Sequence, residues 1–197
     1  MSSLEELLAA IRQNLPAQKV DYPEIPTYEK QGANLKDKFI VNLGLSGGES
    51  YDVGSIDEAK EIMQQKLPDT RVTCSATSEW EGSKSIHDIA HPRELEDVDL
   101  GIIRAEFGVA EMGMIWLTEN SLQVNSLGFL SQHLAILLDP DLITENMHTA
   151  YRKIDFQAST YGCFVMGPSA TADIGAYLVR GAQGARSLTV FFLKQQI

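Results

Sequence analysis

Apolar residues recur at helical spacing from Ser3 to Leu15, where Leu4, Leu7, Leu8, Ile11 and Leu15 form one stripe. Ser3 stands three residues before Glu6 in a capping-box pattern, and Pro16 supplies the stop. A helix with one apolar stripe needs a partner surface. Residues 16–35 carry three prolines and little periodicity, which predicts an extended connector. A second helical pattern runs from about Asp37 through DKFIVNLGLS to Gly47-Gly48, and SYDV follows as a short strand. Ser55 to Leu67 is a clearer helix, because Ser55 opens a capping box with Glu58 and Pro68 follows its end. RVTCSA reads as a strand, and the polar stretch TSEWEGSKSIHDIAHPRELED as a loop or broken helical excursion.

The second half alternates more regularly. VDLGIIR is a strand, Glu106–Ala110 a tight turn, and MIWLT a strand. LAILLD is a strand ended by Pro140, DLITENMHTAYRKI a helix, YGCFVMG a strand, TADIGAYLVRG a helix and SLTVFFL the closing strand. Apolar strands without in–out alternation, set between helices, predict a mostly parallel sheet covered on both faces. The expected fold is therefore a three-layer α/β domain over residues 35–197, preceded by a helix and connector over residues 1–34.

Composition narrows the partners. The 197 residues are 44% hydrophobic and 22% charged, ordinary for one globular domain. The net charge of −11 argues against nucleic acid and against a polybasic membrane contact. No apolar run approaches the ~18 residues of a membrane span. The opening MSSLEELLAAIRQNLP lacks the basic start and apolar core of a signal peptide, so a cytoplasmic location is expected. The two cysteines, Cys74 and Cys163, are unclustered, which points to buried free thiols rather than a zinc site or an iron–sulfur cluster.

Three stretches carry candidate chemistry. Gly167-Pro168-Ser169-Ala170-Thr171-Ala172-Asp173 stands where a strand is expected to feed a helix, the usual place for a ligand in an open α/β sheet. There it can cradle a carboxylate or phosphate on helix N–H groups, or serve only as a helix cap. Arg180-Gly181-Ala182-Gln183-Gly184-Ala185-Arg186 reads as the matching helix exit. Between Arg104 and Met114, Glu106 and Glu111 enter a stretch that otherwise looks buried. A carboxylate there is either paired, as by Arg104, or shifted in pKa and suited to act as a base. Of the histidines, His133 has the most apolar neighbourhood, while His87 and His91 lack a third metal ligand. Gly44 to Glu49 is a helix exit rather than a phosphate loop, since the strand follows it.

Several of these segments share a resemblance. AEFGVAEMGMIWLTE, SLGFLSQHLAILLDPDLI and GPSATADIGAYLVRGAQGARSLTVFFL together resemble the LUD domain, specifically the lactate utilization protein C family. The Ser-x-Thr-Ala-Asp-Ile block, followed ten residues on by a Gly-x-x-Gly turn, carries most of the match. The resemblance implies a fold related to ribose-5-phosphate isomerase, glucosamine-phosphate deaminase and CoA transferases. It implies a role in oxidising lactate to pyruvate beside two iron–sulfur proteins, with no cofactor in this chain. Residues His133, Gly167, Ser169, Thr171, Asp173, Gly181 and Gly184 match the family pattern. Met112 and Met114 stand where the family tends to carry threonines, Glu111 where it has aspartate, and Gln183 where it has histidine.

The expected catalytic set is thus Glu111, Asp173 and His133. The expected ligand contacts are Gly167, Ser169, Thr171, Gly181, Gln183 and Gly184, around a small organic acid or phosphorylated ligand at the carboxyl ends of the strands. No metal site is expected. Two alternatives stay open: a stand-alone isomerase- or transferase-like enzyme on a phosphosugar or acyl-CoA, with Glu106 or Glu111 as base or nucleophile, and a degenerate binding or assembly module.

Overall fold

A computed structural model describes residues 3–15, 21–28, 34–158, 160–173 and 175–195. Helix α1 (Ser3–Gln13) forms as its periodicity predicts, yet none of its residues is buried. Helix α2 (Leu35–Leu45) is capped by Asn34, whose side chain accepts from the Asp37 amide, and it buries Phe39 and Leu43. After β1 (Glu49–Asp52), helix α3 (Ile56–Lys66) starts on Ser55, which accepts from the Glu58 amide, and buries Ala59 and Met63. These are ordinary N-caps, satisfying amides that a first turn leaves open.

The polar middle holds β2 (Thr73–Ser75), β3 (Lys84–Ser85) and two short 3-10 turns, Ile86–Asp88 and Pro92–Leu95. Then come β4 (Leu100–Arg104), β5 (Phe107–Val109), β6 (Met114–Thr118) and the short helices α4 (Glu119–Leu122) and α5 (Leu127–Leu130). Strand β7 (His133–Leu138) precedes β8 (Ile143–Thr144), helix α6 (Met147–Lys153) and β9 (Gly162–Val165). The chain closes through β10 (Ala170–Thr171), β11 (Val179–Arg180) and β12 (Ser187–Phe192).

Six strands form a parallel sheet in the order β1-β12-β7-β4-β2-β3. Its inner strands are apolar on both sides because both sides are covered. Ala135, Leu137 and Phe191 meet Ala59 and Met63 of α3, whereas Leu134, Ile136, Leu138 and Val190 meet Phe39 and Leu43 of α2. That second face also receives Ile115 and Leu117 from a smaller sheet, ordered β8-β5-β6-β9. The smaller sheet turns Phe107, Val109 and Trp116 outward against Ala150 of α6. The expected fold class, a mostly parallel sheet flanked by helices in a three-layer α/β arrangement, is the one observed.

Three local expectations are corrected. The stretch at Glu106–Ala110 is not a turn, because Phe107–Val109 pairs with both β6 and β8. The helix expected over Asp141–Ile154 is confined to Met147–Lys153, since Asp139 and Pro140 start a 3-10 turn and Ile143–Thr144 joins the sheet. The helix expected over Thr171–Gly181 is absent among its described residues. Ala170 and Thr171 instead pair antiparallel with Arg180 and Val179. Gly175 and Ala176 hold φ of +67° and +60°, incompatible with a right-handed helix, and Tyr177 and Leu178 are exposed. A helix there would have had no face to bury.

Candidate functional site

The parallel sheet has two edges of different character. At its carboxyl edge, the chain leaving β2 and β4 lines an open polar cleft of about 630 Å³. Ser75, Thr77, Glu79, Arg104, Glu106 and Gln123 are among its walls. Arg104 is held by its whole guanidinium: Nε donates to Glu79 Oε1 at 2.8 Å, Nη2 donates to Oε2, and Nη1 donates to the Leu193 carbonyl at 2.8 Å. Thr77 Oγ1 donates to the same carboxylate at 3.2 Å, and Ser75 Oγ donates to the Thr77 carbonyl at 2.9 Å. Gln123 ties the rim down by donating to the Ala76 carbonyl at 2.7 Å. The result is a rigid, charge-balanced floor carrying hydroxyl and amide groups.

Glu106 lies just past the end of β4 and is exposed. Its carboxylate accepts from Thr118 Oγ1 at 3.0 Å. It also lines a second cleft of about 460 Å³, which shares Asn120 with the first and adds Phe107, Trp116, Lys153 and Phe156. A carboxylate between two clefts, at the carboxyl end of a central parallel strand, occupies the position where α/β sheets ordinarily work on ligands.

The amino edge gathers most of the residues the sequence singled out. His133, the first residue of β7, shares a 2.7 Å hydrogen bond between Nδ1 and Ser187 Oγ of β12. Burial lowers its pKa first and the Arg186 charge second, while the Asp99 carboxylate opposes both. Asp99 itself accepts from the Val72 and Arg71 amides, which hold its pKa low. With Lys66 and Arg186 these groups line a small cleft of about 270 Å³.

The glycine- and serine-rich segments are brought together beside that edge, but they bind each other. Ser169 donates through its amide to the Ala185 carbonyl at 2.8 Å and through Oγ to the Gln183 carbonyl at 3.0 Å. Gly181 donates its amide to the Ser169 carbonyl, and the Gly184 backbone lies against the Ser169 side chain. Gly167, at φ +67°, packs where an added Cβ would stand 2.5 Å from the Ser46 carbonyl oxygen at the end of α2. Thr171 Oγ1 donates to Asp173 Oδ2 at 2.9 Å within a local turn, and Asp173 is exposed. Among the described residues no helix amide row stands behind this segment, so the expected cradle of helix N–H groups is not formed there. Glu111 lies apart from both groups, its carboxylate accepting from the Met147 amide at the start of α6 at 3.1 Å. None of these nine residues lines the polar or the aromatic cleft.

Glu79, Thr77, Asn120 and Gln123 were missed by the sequence reading. The available signal was positional: Thr77 and Ala105-Glu106 directly follow expected parallel strands. Among the described residues, no group of three or more His, Cys, Asp or Glu is placed to hold a metal ion. His91 instead caps a 3-10 turn by accepting from the Arg93 amide. Cys74 is buried and Cys163 half-buried, and burial raises both thiol pKa values, leaving them poor nucleophiles.

A family model of the LUD domain matches residues 1–193. The chain belongs to the LUD-domain family. Among solved structures, this LUD-domain chain is similar to a DUF162 family protein from Deinococcus radiodurans, with a TM-score of 0.63 at 15% identity. The likeness covers 83% of this chain and 99% of that one, and it concerns the fold alone. Comparison with curated proteins gives no match. Among the described residues, no helix of the LUD-domain chain is long and apolar enough to cross a membrane.

Proposed function

We propose that this chain is an accessory subunit of the lactate utilization protein C type, carrying no cluster of its own and working in the cytoplasm beside iron–sulfur partners that oxidise lactate to pyruvate. The observation that carries this reading is α1. Leu4, Leu7, Leu8, Ile11 and Leu15 are 40–61% exposed along one stripe, and the helix buries nothing. An isolated helix of 11 residues is marginal in water, so its stability must come from a surface that covers the stripe. A partner subunit supplies such a surface. The polar cleft at the carboxyl edge is the place for a small organic acid, above the floor that Arg104 and Glu79 hold.

The test is isolation of the tagged chain from lactate-grown cells of its source, read by mass spectrometry. Cysteine-rich iron–sulfur proteins are expected in the wild-type sample and absent when Leu8→Glu and Ile11→Glu are introduced together. A partnerless wild-type chain, with lactate oxidation intact in cells lacking it, overturns the proposal.

A second reading, a stand-alone isomerase- or transferase-like enzyme, is favoured by one observation: Glu106 faces both clefts whereas Glu111 is engaged at α6. In that reading Glu106 is the base or nucleophile. Turnover of a phosphosugar or acyl-CoA by the purified chain, lost in Glu106→Gln and kept in Glu111→Gln, would establish it.

A further inference from the structure

The lining of the aromatic cleft differs in kind from that of its polar neighbour. Its main wall is the Trp116 indole. That ring lies on Gly162, where an added Cβ would stand 2.5 Å from Cη2, and it packs against Phe164 with ring centroids 4.6 Å apart. Phe107 stacks beside it at 6.3 Å with an interplanar angle of 27°. A tryptophan fixed by a glycine below and a phenylalanine beside it is a preformed flat platform. The exposed Phe156 ring, itself stacked on Tyr151, stands at the same cleft.

The polar groups around this platform include Glu106, Asn120, Lys153 and Asp155, whose carboxylate accepts from the Gln157 amide at 2.8 Å. Lys153 holds its ammonium 5.7 Å from the Phe107 ring centroid and makes no ion pair among the described residues. The Asn120 carboxamide makes no hydrogen bond among the described residues, so it offers both a donor and an acceptor. Glu106 presents a carboxylate that accepts from Thr118 Oγ1 and has lone pairs left for an N–H donor. A flat aromatic wall suits a planar ring, Asn120 and Glu106 suit the edge of a nitrogen heterocycle, and Lys153 suits an anionic group attached to it.

We propose that this cleft binds a nucleotide, its base against Trp116 and a phosphate at Lys153. The cleft volume of about 460 Å³ is in the range of small-molecule sites, and the polar cleft beyond Glu106 takes whatever extends past it. This site is independent of the lactate reading, and loss of partner capture would leave it standing.

Trp116 also reports its own occupancy. The other tryptophan, Trp80, is buried against α3 and Phe191 on the far face of the large sheet, so Trp80→Phe leaves Trp116 as the fluorophore. ADP is titrated into this variant, with adenosine alone and pyrophosphate alone as separate arms. The expected result is saturable quenching by ADP below about 1 mM, with weaker binding of either half. Lys153→Ala is expected to weaken ADP by at least about fivefold while leaving adenosine unchanged. Gly162→Ala, which displaces the indole, weakens both. No saturable change up to about 5 mM ADP overturns the proposal. So does ADP binding that neither Lys153→Ala nor Gly162→Ala alters. Circular dichroism verifies each variant's fold, and if Trp80→Phe does not fold, saturation-transfer NMR of ADP with the otherwise unaltered chain and the same two variants gives the same decision.

Discussion

The two edges of the large parallel sheet use similar residue types to opposite ends. At the amino edge, Ser169, Gly181, Gln183 and Ala185 satisfy one another's backbone groups, and His133 Nδ1 is bonded to Ser187 Oγ. At the carboxyl edge, Thr77, Arg104 and Gln123 spend their hydrogen bonds on fixing a floor, and Glu106 and Asn120 are left facing open space. Hydroxyls and glycines that close a loop and side chains that line a cleft are indistinguishable by residue type. What separates them is whether the polar atoms already have partners. On that criterion the glycine- and serine-rich loop is closed on itself, whereas Asn120 at the carboxyl edge still offers its polar atoms to a cleft.

The largest effect expected to sharpen this contrast is at Gly167. Its φ of +67° and the 2.5 Å approach of an added Cβ to the Ser46 carbonyl make Gly167→Ala strained twice over. Such a strained backbone substitution should cost about 3 kcal/mol, read as a lower urea midpoint. Ligand binding at the clefts should survive wherever the variant is still folded. A variant of wild-type stability that had lost ligand would reverse the assignment of the two edges.

Next comes Arg104. Replacing it with leucine leaves the half-buried Glu79 carboxylate with Thr77 Oγ1 as its remaining donor and strips the Leu193 carbonyl of its own. A cost of about 2 kcal/mol is expected, below that of a fully buried pair because solvent still reaches Glu79. Adding Glu79→Leu should recover much of it, because the stranded charge is then gone. Denaturant unfolding of the four proteins in that cycle reads the coupling directly; additive costs would show that the pair does not hold the floor.

How much of this was legible in the sequence follows from the range of the interactions. The caps at Ser55 and the apolar run of β7 are local or compositional, and both stand as expected. The segment from Thr171 to Arg180 had a helical look, but its conformation is set by Ser169 bonding across to Ala185, sixteen residues on. The Arg104–Glu79 pair spans 25 positions and a turn-rich stretch with no periodicity. Strand β5 is three residues with a glycine in the middle, too short to show alternation. Of two acidic candidates, the sequence drew attention to Glu106 and Glu111 together. Only the register of β5, which puts them at opposite ends of one strand, separates them.

A smaller effect is expected at Ser169. Its hydroxyl bond to the Gln183 carbonyl lies near the surface, so Ser169→Ala should cost about 0.5–1 kcal/mol. If the amino edge is only a closure, calorimetry of small acids at the clefts will not distinguish this variant from wild type. A binding loss of tenfold or more at unchanged stability would return the loop to the site.

The smallest effect is the pH dependence carried by His133. Its pKa in the fold lies below the ordinary value of about 6.5, because burial and then Arg186 disfavour the imidazolium more than Asp99 supports it. Between the two values the unfolded chain binds more protons than the folded one, so stability rises with pH through that window. Descending from pH 7, the loss begins near 6.5, continues until the lower folded value is passed, and is constant below it. His133→Gln removes the titration, so its stability should fall less steeply than wild type between pH 7 and 5. Parallel urea midpoints across that range would mean that the imidazole is solvated as freely as in the unfolded chain, and the amino edge would then be open after all.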